Sequence, residues 1–301
     1  MTDIREVQVG AQGIGVPTPA VRSSSLLARS MRLWRTRIGV IFVLVLVAIA
    51  VFGPLLAPHK PSAFVSIPNS QPSGKALLGT DYLGQDVLSR FLHGGAGILT
   101  MAVVSTLIGL IVGVAIGLVA AYSRNALDDV LMRAMDVIMA FPQIMLALVL
   151  VSLVGAHAWV IIVALALTTA PRVARVSRGA AQPVVERDFV AATEAMGLSR
   201  LRILSGELLP NILGPMMVEA SLRLTYSIGV IAALAFLGLA PDPNGANWGT
   251  MIQQNQIALS IQPWGAVAPI VAIALLTMGT GLIGDGIART AAGIDRERGE
   301  E

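Results

Sequence analysis

Between Val137 and Pro171 the chain runs for 35 residues without a charged side chain. At about 1.5 Å of rise per residue, one helix of that length would reach about 52 Å, far beyond a hydrocarbon core of roughly 30 Å. The run therefore predicts two membrane helices, broken near Gly155-Ala156-His157. Comparable uncharged runs lie at Ile38 to Pro58 and Phe91 to Ser123, the latter predicting a span over Ile98 to Tyr122. A fifth span is expected after Pro210-Asn211 as far as Leu239, and a sixth from Trp264 to Gly284. With 55% hydrophobic and only 13% charged residues, against about a quarter charged in soluble domains, an all-α protein with six transmembrane helices is predicted. Residues 1–30 read as a polar, disordered tail rich in Gly, Pro and Ser. Residues 31–93 hold the first span and an outer loop, 94–288 the core, and 289–301 a second tail. A cleaved signal peptide is disfavoured for the first run, because a long polar segment precedes it and it is long enough to span.

Six spans place both termini on one side, and basic residues decide which. Seventeen arginines fall on the side of the termini, against Lys60, Lys75 and Arg90 opposite, with Arg223 inside the fifth span. Lys and Arg beside spans are retained in the cytoplasm, so both termini are expected there. The basic balance then follows from topology, and no nucleic-acid partner is implied. Trp159, Trp248 and Trp264 are expected at the outer interface and Trp34 at the inner one.

Catalytic signatures are missing. The sequence has no Cys, no phosphate-binding G-x-x-x-x-G-K-[ST], no H-E-x-x-H and no G-x-S-x-G, so neither an ATPase site, a thiol enzyme nor a metal site is expected. His59, His93 and His157 are scattered without ligand spacing. Glu219 and Arg223, four residues apart on one helix face, are the intramembrane charges; they read either as lining of a translocation path or as a self-neutralising pair. Asp136 and Asp285 read as interfacial caps. Gly109, Gly113 and Gly117 form a stripe on which another helix can pack closely.

The segment from Arg172 to Pro210 is long and polar. Glu186 to Met196 predicts a short helix stopped by Gly197, and Ser199 is expected to cap a second helix ending at Pro210. A hairpin over 186–210 exceeds what a connection needs and suggests a docking element.

Its residues, Asp188-Phe189-Val190-Ala191-Ala192-Thr193-Glu194-Ala195-Met196-Gly197, nine more, then Glu207-Leu208-Leu209-Pro210-Asn211, resemble the E-A-A-x-x-x-G-x9-I-x-L-P coupling motif of ABC importer permeases. Leu78-Gly79-Thr80-Asp81-Tyr82-Leu83-Gly84-Gln85-Asp86-Val87-Leu88-Ser89-Arg90 resembles the outer-loop block of the C-type permease in the oligopeptide, dipeptide and nickel class. Met132 to Asp136 with Ala140-Phe141-Pro142, Phe236 to Leu239, Asn247 to Met251 and Gly284-Asp285-Gly286 extend the resemblance from about Met31 to Arg289 in family order. Departures fall at Ala191, where the motif has Glu, and at Thr193, Glu207, Gln85 and Ile231; Glu219 and Arg223 also stand where polar or small residues are usual.

The resemblance implies a type I ABC importer permease fold in a bacterial cytoplasmic membrane. It implies a homologous B-type permease, two ATPase subunits that bind ATP and Mg, and an extracytoplasmic binding protein as partners, with a di- or oligopeptide as substrate. Nickel chelates or glutathione are the alternatives, and a stand-alone secondary transporter is the rival class. Coupling would fall to Phe189, Ala191, Ala192, Thr193, Glu194, Gly197, Leu198, Leu209 and Pro210. The outer-loop block would supply Gly79, Thr80, Asp81, Gly84 and Asp86.

Overall fold

The computed structural model describes residues 23–123, 126–242 and 244–292, and the tail over 1–22 lies outside them. Eleven helices follow one another among the described residues: α1 (Ser23–Ser30), α2 (Trp34–Leu56), α3 (Val87–Ser123), α4 (Ala126–Met139), α5 (Gln143–Val154), α6 (Ala158–Val185), α7 (Asp188–Ala195), α8 (Arg200–Ile203), α9 (Leu209–Phe236), α10 (Trp248–Asn255) and α11 (Trp264–Ala291). Part of the expected disordered tail is thus helical, since α1 forms and lies beside α11.

Five helical stretches are long and apolar enough to cross a membrane, and α4 with α5 makes a sixth if that bent pair counts as one span. The break at Gly155 to His157 stands where it was expected, with Gly155 at φ +106°. A second break falls at Ala140-Phe141-Pro142, where α4 and α5 meet at 77°. Pro142 disfavours helical geometry in Phe141 and opens α5, so the stretch expected to form the third span is two pieces. The 12 residues of α5 extend about 18 Å, short of the core thickness.

Helix packing uses small residues, as association inside lipid requires. The glycine stripe of α3 lies against α6: a Cβ on Gly113 would sit 2.6 Å from the Ala170 carbonyl oxygen and the Val173 Cβ. α2 leans across the bundle. A Cβ on its Gly39 would meet the Gly279 carbonyl of α11 at 2.6 Å, and one on its Gly53 the Leu92 carbonyl of α3 at 2.6 Å. Leu46, Ile98, Leu165, Ile231 and Leu276 join these helices in one buried cluster.

Four expectations change with the structure. Trp248 is fully buried rather than interfacial: it stacks on Phe91 at 5.6 Å, donates its indole N–H to the Phe91 carbonyl at 2.9 Å and covers Gly94 and Gly95. α3 begins eleven residues before Ile98, so Arg90 lies inside a helix and is 1% exposed. Asp285 caps nothing, because α11 continues to Ala291 and carries it as an exposed mid-helix residue. Asp136 lies within α4 and pairs with Arg175 of α6.

Candidate functional site

α6 leads directly into the hairpin. Arg187 turns extended, α7 starts at Asp188, and its end is closed by two bonds: Leu198 N–H donates to the Thr193 carbonyl at 3.2 Å and Gly197 N–H to that of Glu194 at 2.9 Å. This is the Schellman arrangement, and it puts Gly197 at φ +77°. A Cβ there would meet no heavy atom within 4 Å, so glycine is required by the backbone angle and not by space.

Val190, Ile203 and Leu208 anchor the hairpin in a buried cluster with Leu118, Val173 and Val184. With its anchors turned inward, the hairpin presents the other face: Phe189, Ala191, Ala192 and Met196 are exposed, Met196 by 69%, while Glu194 and Leu201, exposed as well, border recesses beside α3. Thr193 is half-buried and donates its hydroxyl to the Val190 carbonyl at 2.7 Å. Leu198 and Leu209 are partly buried against the cluster, and Pro210 is exposed.

Ser199 occupies the N-cap position of α8, yet its side chain makes no capping bond. Nor does the second helix end at Pro210. It passes through a π-turn at Leu204–Leu208 and continues as α9 to Phe236. Pro210 has no N–H to return to the carbonyl four residues back, and the wider turn accommodates its ring. The Asn211 side-chain amide donates to the Glu207 carbonyl at 2.6 Å in the same turn. The second half of the hairpin is therefore continuous with α9.

Glu219 and Arg223 lie nine and thirteen residues beyond Pro210 on this helix. Arg223 Nε donates to Glu219 Oε1 at 2.7 Å, with 13% and 7% of the two side chains exposed. The guanidinium also lies 5.4 Å from the Tyr226 ring centre. Two more polar residues of α9 bond to different helices, Thr225 donating to the Thr280 hydroxyl of α11 at 2.8 Å and Ser227 accepting from Thr106 of α3 at 3.1 Å.

The block over Leu78 to Arg90 folds around the start of α3. Asp81 Oδ1 accepts from the Leu83 and Gln85 N–H groups at 2.9 and 2.8 Å, and its Oδ2 accepts from Arg90 at 2.5 Å. Arg90 also donates to Gln85 Oε1 at 2.7 Å and to Gln254 at 3.1 Å. The departure at Gln85 thus supplies an acceptor where an arginine would face Arg90 with like charge. Asp86 caps α3, accepting from the Ser89 N–H at 3.0 Å and hydroxyl at 2.6 Å. Thr80 donates to the Ile67 carbonyl at 2.7 Å, and Gly79 and Gly84 take φ near +77° and +76°. Gln262, ahead of α11, donates to the Leu78 carbonyl at 2.6 Å.

The hairpin, the intramembrane pair and the outer block are three separate places. No group of three or more His, Asp or Glu able to hold a metal ion occurs among the described residues. Sequence reasoning missed a ladder: Arg172, Arg175 and Arg178, one stripe of α6, engage Gln143 at 2.9 Å, Asp136, and Asp128 at 2.6 and 2.5 Å, straddling the bend between α4 and α5. The every-third-residue arginines were legible; their partners were not.

Residues 113–291 match the family described as binding-protein-dependent transport system inner membrane component. The chain belongs to this family. Residues 36–75 match a second description, the N-terminal transmembrane domain of oligopeptide transport permease C. Among curated relatives, the di/tripeptide transport system permease protein DppC of Pseudomonas aeruginosa is 35% identical over 256 residues, covering 83% of this chain and 84% of that protein. The glutathione transport system permease protein GsiD of Pectobacterium atrosepticum is 32% identical over 278 residues, covering 89% and 92%. A solved inward-facing structure of the MetNI methionine ABC transporter shares the fold, with a TM-score of 0.54 and 21% identity, covering 67% of this chain and 96% of that one. This permease is an integral membrane protein of the ABC importer type.

Proposed function

We propose that the chain is a permease subunit of an ATP-driven importer of di- or oligopeptides, in which separate ATPase subunits drive alternating access through the 186–210 hairpin. The observation that carries the mechanism is the hairpin's geometry. Phe189, Ala191, Ala192 and Met196 face outward from a buried anchor, and the second half of the hairpin is continuous with α9. A partner pressing on that face would move α9 as a lever, carrying Glu219 and Arg223 with it.

The partners in this reading are a homologous permease, two ATPases that hold ATP and Mg, and an extracytoplasmic binding protein that docks on the block around Gly79, Thr80, Asp81, Gly84 and Asp86. Both termini lie in the cytoplasm, as the arginine distribution supports. Glu219 and Arg223 border the solute path, which their place as an ion pair on the apolar helix that continues the hairpin supports. The peptide substrate rests on what similar permeases carry by name, and a glutathione permease among the relatives makes that tripeptide-like solute the second candidate.

The test is reconstitution of the whole importer in proteoliposomes, with uptake of labelled dipeptide, tripeptide and glutathione followed in parallel. Dipeptide uptake requiring ATP, the ATPases and the binding protein supports the reading. Uptake by this chain alone in an ion gradient refutes it, and uptake of glutathione without dipeptide refutes the substrate.

A further inference from the structure

The diagonal lean of α2, from α11 near the cytoplasmic side to α3 near the outer side, leaves one stretch of the α3–α9 seam uncovered. There a cavity of about 530 Å³ runs between Leu110, Val114 and Leu118 of α3 and Leu204, Leu213 and Met217 of the π-turn and α9. Its volume falls in the usual range for a bound small molecule, about 300–1,000 Å³. Ser205 is its one polar side chain, and that hydroxyl is satisfied by the Leu201 carbonyl at 2.8 Å. A groove with such walls takes a hydrocarbon rather than water or a polar solute.

Its length selects the hydrocarbon. From Leu110 to Val119 the wall rises about 14 Å, close to half of a roughly 30 Å core, which is the depth of one leaflet. At its cytoplasmic end the groove adjoins a second recess of about 480 Å³ bounded by Tyr122, Ser123, Leu127, Leu198, Glu194 and Arg200. This recess is polar and carries one charge of each sign. Among the described residues neither Glu194 nor Arg200 enters an ion pair, in contrast to Arg175 and Arg178 on α6.

We infer that the groove and recess together seat one phospholipid of the cytoplasmic leaflet whose headgroup carries a free amine. One acyl chain fills the groove between α3 and α9, the phosphate meets Arg200, and the ammonium meets Glu194. A zwitterion of that kind matches two opposite charges that share a recess and do not pair with each other. The seat touches the π-turn that joins hairpin to α9, and its existence does not depend on which solute is carried.

The experiment uses the whole importer, equilibrated in vesicles of equal dioleoyl-phosphatidylethanolamine and dioleoyl-phosphatidylglycerol, then extracted in mild detergent for native mass spectrometry. Retention of one phosphatidylethanolamine on this chain, in excess over the glycerol lipid, is expected. Glu194→Gln should remove the preference between headgroups by about fivefold, and Arg200→Gln should weaken retention of both lipids by about fivefold. Ala115→Trp fills the groove and should abolish retention; if that variant fails to assemble, the two charge variants, which leave the packing alone, decide. No retained lipid, equal selection of the two headgroups by the unaltered chain, or identical retention in Glu194→Gln and Arg200→Gln overturns the proposal. Cross-linking of Ala115→Cys to the second permease would do so too, because a protein helix would then occupy the groove.

Discussion

Replacing Gly197 separates backbone angle from bulk. With φ at +77° and nothing within 4 Å of a Cβ, the added cost is the left-handed conformation alone, about 1–2 kcal/mol for a non-glycine residue. That energy shifts the population of the docking-competent hairpin by a factor of about 5–30, and alanine and leucine should suffer it alike. Asparagine, which tolerates this region, should lose less. The assay is ATPase affinity for the purified permease pair, alongside ATP-dependent uptake in proteoliposomes, for Gly197→Ala, Gly197→Asn and Gly197→Leu. Insertion into the membrane should be unaffected, since the residue lies outside the spans. If Gly197→Ala binds ATPase as well as the unaltered chain while Gly197→Leu does not, bulk at the docked interface matters and the backbone reasoning is wrong.

Three further outcomes are expected. Gly113→Leu should force α3 from α6 against the Ala170 carbonyl and lower stability by about 1–3 kcal/mol or more, read as a lower unfolding temperature in detergent; an unchanged midpoint would mean the two helices have room. Asp81→Asn leaves the Arg90 guanidinium, 1% exposed, without its carboxylate and should destabilise by about 3–5 kcal/mol, whereas Asp81→Asn combined with Arg90→Met, which keeps an acceptor for the Leu83 and Gln85 N–H groups, should recover much of the loss. For the intramembrane pair, Glu219→Gln and Arg223→Gln should each impair uptake more than the double change; strictly additive losses in the cycle would show that the 2.7 Å contact carries no coupling.

The spans were legible because lipid imposes a one-dimensional rule: about 20 apolar residues for each crossing. Five continuous spans, the break at Gly155 and the close-packing stripe Gly109, Gly113 and Gly117 all follow from local composition. The hairpin was legible as two helices stopped at Gly197, because a left-handed turn leaves a glycine signature. Its far boundary was misplaced, since Pro210 normally ends a helix and only the π-turn at Leu204–Leu208 lets α9 continue through it.

What the tertiary structure alone decided are the contacts between residues distant in the chain. Nothing local in Trp248 distinguishes an interfacial indole from one buried on Gly94 and Gly95 and bonded 157 residues away. Arg90 reads as a loop cation until Asp81, Gln85 and Gln254 close around it. The arginine ladder of α6 acquires meaning only when the 77° bend brings Asp128, Asp136 and Gln143 alongside. Hydropathy is a property of each residue and survives in a linear string. A buried charge is stable only through partners that folding brings to it, and those partners have no fixed spacing for a sequence to display.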